Sequence, residues 1–385
     1  MRLRNSRFTF AVLTAVILFH TSYARGQLQN ASLTQIKIDA NDLVYDSLRN
    51  RIYATVGSSV GFPAGNSIWV IDPDKSEVID TIFVGSEPNA IAISDDTSKV
   101  YIGIDGALSF RCWEPATESL GPLVPIVDDG EQNARAREIV VRPGSPDTVV
   151  VMRSSRDLFL YREGVLVDDF FANSIDSITF SDSDYLFSYD WTSVDTLRKF
   201  QIVDDEFLLV GQSGALVTGS SLPTIEATGT GLFATNGDYV DVDAFESLGD
   251  FGSLSGTFEP VEKDRTVFYL GHDWLLQMFS TENLELIDSV ALFDDGSFLV
   301  ELISAGKNRL ACLSSTGQIG LINNVPVSDE LILGDINRDC ILDLLDIQPF
   351  VEVLLSNEYS PLADINFDGQ NNLVDVPPFI DLLGK

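Results

Sequence analysis

A strand–turn–strand pattern recurs along most of this chain, and that recurrence limits the fold more than any other feature. The two clearest copies are NDLVYDSLRNRIYATV from Asn41 and NAIAISDDTSKVYIGI from Asn89. Each holds a short apolar strand, a polar turn with Asp or Ser, and a second strand of alternating apolar residues. Weaker copies begin at Arg137, Ile175, Gly231, Phe258 and Phe298, and a partial start, GALVTGSS from Gly214, belongs with the fifth. Unit starts at 42, 89, 138, 175, 215, 258 and 298 give a mean step of about 43 residues.

A unit of that length has room for four short strands joined by tight turns, and helical periodicity is absent over most of the span. Such a unit cannot bury both of its faces alone. It buries them against the next unit, and the array must then close on itself. The chain is therefore expected to be mainly β, a seven-bladed β-propeller, with six and eight blades as the competing counts. The ends support closure. The last unit offers three strands, at 298–303, 309–313 and 318–322, while SLTQIKID at 32–39 is a strand without a unit. Pairing that strand with the last blade would complete it and remove an open edge.

The segment VGSEPNAIAISDDTSKVYIG, 84–103, resembles the repeat of YVTN-type propellers. The resemblance implies the fold and no particular function, because such rings host binding proteins and several kinds of enzyme.

The N-terminus reads as an export signal. Arg2, Arg4 and Arg7 precede a mostly apolar stretch at 8–19, and small residues at Ser22, Ala24 and Gly26 allow cleavage after Ala24 or Gly26. Removal of 1–26 takes four arginines and no acids, moving the formal charge from -34 to -38. A chain so acidic repels nucleic acid and anionic lipid, which excludes both as partners. No later segment is apolar enough to span a membrane. Three cysteines, Cys112, Cys312 and Cys340, make no disulfide framework, and Cys112 and Cys312 fall in units too far apart to bridge.

Catalytic candidates are sparse. His272 and Asp273 are adjacent; on a strand they point to opposite faces and form no dyad. Asp238, Asp241 and Asp243 lie close in sequence, and the last two would share a strand face. Trp69, Trp113, Trp191 and Trp274 are expected mainly to pack between blades. No phosphate-binding glycine loop, metalloprotease helix or serine elbow occurs.

The C-terminal segment carries a different signal. DINRDCILDLLD, 335–346, and DINFDGQNNLVD, 364–375, are two copies of one acidic loop, each followed by a similar apolar stretch. Ca²⁺ takes six to eight oxygens, and a twelve-residue loop offers them from positions 1, 3, 5, 7, 9 and 12. In the first loop these are Asp335, Asn337, Asp339, the Ile341 carbonyl, Asp343 and Asp346. In the second they are Asp364, Asn366, Asp368, the Gln370 carbonyl, Asn372 and Asp375. Ile347, Phe350 and Leu354, and then Val376, Phe379 and Leu383, recur at helical spacing. Pro349, Pro377 and Pro378 fall in first turns, where a missing N–H costs little.

Two such units, with Asp at position 12 and one helix after each loop, resemble a type I dockerin over 333–383. The resemblance implies two Ca²⁺ ions and docking onto a cohesin-like protein on a scaffold or cell surface. Its partner-facing positions map onto Leu344, Leu345, Val351 and Glu352, and onto Leu373, Val374, Ile380 and Asp381. Two departures stand out. Cys340 takes the place of the turn glycine, which predicts a weaker first site, and Asn371 replaces an aliphatic residue. The expected organisation is a signal at 1–26, a propeller at 27–326, a linker at 327–332 and a calcium-binding module at 333–385. The expected function is an exported binding or display protein, with a glycan among the candidate ligands of the ring. The alternative is a secreted enzyme on polysaccharide or a lactone, targeted by the same tail.

Overall fold

The computed structural model describes residues 26–126, 134–191, 195–214, 216–217, 224–229, 231–252, 254–292, 297–328, 333–334, 336, 342, 344–356, 360–366 and 370–383. The signal segment 1–25 lies outside them. Seven antiparallel sheets follow one another along the chain, and six of them have four strands. The second has five, because its outer edge is split into the short strands Ser119–Leu120 and Val124–Pro125. No helix among the described residues is long and apolar enough to cross a membrane.

The seventh sheet closes the ring in the expected way. Leu299–Ser304, Arg309–Ser314 and Ile319–Asn323 come from the C-terminal side, and Ser32–Ile36 adds the outer strand. The pairing is antiparallel, from Ser32 opposite Asn323 to Ile36 opposite Ile319. Ahead of this strand Leu28 is buried with Leu270, Trp274 and Leu310, between the sixth and seventh sheets. The Asp288 carboxylate holds the approach by accepting the N–H groups of Gly26 and Leu28 at 3.1 and 2.8 Å. At the other end, Val325 and Val327 are buried in the same cluster, and Asp264 accepts the Ser328 N–H at 2.8 Å. The chain thus stays on the ring through Ser328.

Apolar clusters lie between consecutive sheets, as burial by stacking requires. Ion pairs add stitches at the rim, such as Arg142 with Asp184 and Arg309 with Asp74. The second and third sheets approach closely at Gly103. A Cβ there would lie 2.9 Å from that of Ala136, so any larger residue would force the sheets apart.

Two details depart from expectation. The fifth inner strand is Ile225–Ala227, ten residues beyond the start at 215, and GLFA at Gly231–Ala234 is the second strand of its sheet. His272 and Asp273 lie in a turn after the strand Thr266–Gly271. The face argument therefore does not apply, yet no dyad forms. His272 meets the edge of Phe298 at 5.5 Å, and Asp273 accepts the Leu275 N–H.

Beyond the ring stand two helices, Ile347–Ser356 and Val376–Leu383. Phe350 and Phe379 stack between them at 3.9 Å, with Leu354, Val376 and Leu383 packed around. Ile347 is exposed and takes no part in that core.

Candidate functional site

Each of the seven sheets contributes its innermost strand to a central cavity of about 530 Å³. These strands are Ala40–Asp46, Pro88–Ile93, Ala136–Val141, Ile175–Phe180, Ile225–Ala227, Gly256–Val261 and Leu299–Ser304. Carboxylates from six of the seven reach the lining: Asp42, Glu138, Asp176, Glu226, Glu259 and Glu301.

In four of these strands, those of Asp42, Glu138, Asp176 and Glu301, a bulge helps to turn the side chains inward. The register shifts between Ala40 and Asp42, Ala136 and Glu138, Ile175 and Ser177, and Leu299 and Glu301. A bulge places two successive residues opposite one and breaks the alternation of faces. Both members of Asn41–Asp42, Arg137–Glu138, Asp176–Ser177 and Val300–Glu301 therefore line the channel.

The acids clasp one sheet to the next. Asp42 accepts the Ile91 N–H at 2.9 Å, Glu138 the Ile178 N–H at 3.3 Å and Glu259 the Ser304 N–H at 2.7 Å. The hydroxyls of Ser177 and Thr179 play the same part for the N–H groups of Ile225 and Ala227. At the closing seam Glu301 hydrogen-bonds to Asp42, so two acids meet with one proton between them. In the second sheet Ala90 takes the equivalent place, and the close approach at Gly103 serves instead.

Burial is the main cause of their altered acidity. It pushes Glu138 up to about 8, with repulsion from Asp42 adding to the effect. Asp42 rises to about 6, held back by the Ile91 N–H, and Glu301 is raised well above the usual carboxylate range by burial and by Asp42. Asp176 instead meets Arg156 at 3.2 Å and Arg137 at 3.8 Å.

Other candidates resolve into structural roles. Asp241 accepts the N–H groups of Asp243 and Ala244 at 2.9 and 2.7 Å. It caps a turn, since its strand ends there, and does not share a face with Asp243. Trp113 and Trp274 are buried between sheets as expected, whereas Trp191 is exposed. Cys112 and Cys312 are unbridged.

In the tail, Asp335, Asn337, Asp339, Ile341 and Asp343 of the first loop, and Asp368 of the second, lie outside the described residues, as does Cys340. Asp346, Asp364 and Asp375 are all 0% exposed. The two carboxylate oxygens of Asp375 accept the N–H groups of Asn366 and Asn372 at 3.2 and 2.9 Å, which curls the second loop around position 12. Gln370 is exposed and Asn372 half-buried. The mapped contact residues are open: Leu344 is 74% and Leu373 80% exposed, with Leu345, Val351, Val374 and Ile380 also on the surface. Glu352 and Asp381 are exposed, and Glu352 accepts a hydrogen bond from Gln348.

No family profile and no curated protein matches the chain. Solved structures do match. The β-propeller domain of Cps50 (Swd1) from Myceliophteria thermophila is 11% identical with a TM-score of 0.59, over 76% of this chain and 99% of that one. The ring is a seven-bladed β-propeller. The WD40 β-propeller domain of Doa1 is 13% identical with a TM-score of 0.55, over 76% of this chain and 96% of its own. The propeller therefore shares a backbone plan with these domains at an identity that speaks only to fold. Its acid-lined channel is a feature that the repeat pattern did not reveal. The signal was present: an acid precedes an apolar residue in NDLV, REIV and VELI, at one register of the inner strand.

Proposed function

We propose that this chain is an exported propeller that binds protein partners and is attached to an extracellular assembly through a Ca²⁺-dependent module resembling a type I dockerin. The observation that carries the reading is an inversion in the tail. This small module buries Asp346, Asp364 and Asp375 and leaves Leu344, Leu345, Leu373 and Val374 outside. Buried carboxylates need a compensating charge or donor, and exposed apolar pairs mark contact surfaces. A cation in each loop would balance the carboxylate charge, beside the N–H groups that Asp375 already accepts, and a partner would cover the leucine face.

The donors suit Ca²⁺. All of them are oxygens, from carboxylates, amides and backbone carbonyls, the set that a hard cation takes. Asp335, Asn337, Asp339, Ile341, Asp343 and Asp346 would hold one ion, and Asp364, Asn366, Asp368, Gln370, Asn372 and Asp375 the other. A cohesin-like protein on a scaffold or cell surface is the partner we assign to the exposed face. The WD40-like ring is itself a broad surface for protein contacts, and a glycan remains in our reading as a further ligand.

Calorimetry of the full chain should detect Ca²⁺ binding below millimolar concentration, with about one equivalent lost in Asp364→Ala with Asp375→Ala. The change of Leu344, Leu345, Leu373 and Val374 together to Asp should abolish capture by the cohesin-like partner and leave Ca²⁺ binding intact. Absence of Ca²⁺ binding would remove the metal, and undiminished capture would remove the docking face.

A second reading, a secreted enzyme acting on polysaccharide or a lactone, draws on the channel acids. A carboxyl kept protonated near neutral pH can serve as a general acid. Hydrolysis lost in Glu138→Gln would support it; no turnover of either substrate class would count against it.

A further inference from the structure

Two arginines meet at the mouth of the channel and spend little of their bonding capacity there. Arg137 belongs to the inner strand Ala136–Val141 and lines the cavity. Arg156 lies in the turn ahead of the strand Leu158–Arg162 of the same sheet. Both approach the Oδ1 atom of Asp176 in the fourth sheet, at 3.8 and 3.2 Å. Neither guanidinium donates a hydrogen bond among the described residues, and their side chains remain 37% and 35% exposed, open to a ligand. The other oxygen of Asp176 accepts the Trp191 N–H at 2.9 Å, so an exposed indole springs from the same point. One buried carboxylate thus gathers two charged forks and an aromatic ring.

The local charge runs against that of the chain. Two guanidinium groups facing one carboxylate leave a positive surplus, in a protein with 24 basic and 58 acidic residues. Glu138 follows Arg137 in the lining and does not cancel that surplus, since burial and Asp42 keep it protonated at neutral pH. Each guanidinium presents a planar fork of N–H donors that matches a carboxylate.

We propose that Arg137, Arg156 and Trp191 form a subsite for a sugar acid, with the uronate carboxylate on the two forks and the pyranose face on the indole. The proposal rests on the glycan reading of the ring and names the class of glycan. A sugar fits better than an acidic peptide because the cavity beyond offers the amides of Asn41 and Asn89 and the hydroxyls of Thr224 and Thr257 to ring hydroxyls. Its volume of about 530 Å³ lies in the range of small-molecule sites, about 300–1,000 Å³. The acidity of the whole chain does not prevent the contact, because charges are screened beyond about 8 Å at physiological salt. A lone uronate differs in this from the dense charge of a nucleic acid.

Calorimetry of the full chain tests the proposal, with glucuronate and trigalacturonate as probes and glucose and galactotriose as their neutral counterparts. At least one acid should bind at least about tenfold more tightly than its neutral counterpart. Added salt should weaken that preference. Binding by glucuronate shows that a free sugar acid suffices; binding by trigalacturonate alone assigns the site to a glycan chain. Arg137→Gln and Arg156→Gln should each weaken the acid about tenfold. Trp191→Ala should weaken the acid as well, with its preference over the neutral sugar retained. Either arginine change leaves Asp176 with one guanidinium and the Trp191 N–H, so folding is expected; if a variant does not fold, the acid preference and salt dependence of the unaltered chain decide. If a neutral sugar binds as tightly as its acid, the proposal falls and the glycan reading stands. If no sugar binds at millimolar concentration, both fall. Undiminished acid binding in both arginine variants would also overturn the proposal, as would a blocked Ala-Asp-Ala peptide that binds as tightly as the sugar acids.

Discussion

A chain that begins at Lys37 is expected to melt far below one that begins at Gln27. The strand Ser32–Ile36 supplies the fourth strand of the seventh sheet, and Leu28 fills the core between the sixth and seventh. Its removal exposes Ile319–Asn323 as an open edge and empties the Leu28 site. Two buried aliphatic side chains, Leu28 and Ile36, are worth about 1.5–3 kcal/mol each, before cavity costs are added. The loss also falls where the ring closes, so it loosens the first sheet as well. In a protein of this size each kcal/mol moves the melting temperature by about 1–2 °C, which predicts a drop of at least about 5 °C once cavity costs are added. Differential scanning calorimetry of the two chains is the measurement. Transitions within about 2 °C of each other would show that the strand is an ornament rather than the closure.

The propeller should also lose stability as pH rises, opposite to a protein held by ion pairs alone. Glu138 has an ordinary value near 4.5 and is pushed up to about 8 in the folded ring. A folded state that binds its proton more tightly is favoured at low pH. That contribution is complete below about 4.5 and is lost as pH climbs through 8. Asp42, raised from 3.8 to about 6, acts in the same direction over a lower window. Asp72 acts the other way, since its hydrogen bond to Lys75 lowers its value. The half-buried Glu138 dominates, with an effect on the order of a few kcal/mol. Melting followed in Ca²⁺ from pH 5 to 8.5 should therefore show a decline for the ring. Glu138→Gln should melt near the unaltered chain at pH 5 and above it at pH 8.5, because the amide keeps the acceptor without the charge. A melting temperature that rises with pH, or an equal slope in the Gln variant, would refute the account.

These two expectations draw on different levels of information. The seven units, the missing fourth strand and its substitute at the N-terminus were legible in the residues, because a sheet writes its faces into a local period of two. The helical spacing of Phe350, Leu354, Val376 and Phe379 was legible for the same reason, at a period of 3.6. Where that local period fails, reading failed with it. The fifth unit was placed ten residues early, since its inner strand Ile225–Ala227 is only three residues long. Asp241 and Asp243 were assigned a common face across a turn that ends the strand at Asp241.

The channel was hidden for a deeper reason. Bulges at Asp42, Glu138, Ser177 and Glu301 swing neighbouring residues to one side, and alternation cannot foresee them. Nor does any stretch of sequence state that six acids, spread from Asp42 to Glu301, will face one cavity. In the unfolded chain each is a solvated carboxylate like many others. Closure of the ring brings them together, removes their water and raises their affinity for protons. The sequence by itself determined the number of blades and how the last is completed, because both follow from short-range hydrophobic pattern and the need to cover an edge. Only the tertiary structure decided that the axis of the ring is acidic, because charge density and burial there are properties of seven strands at once.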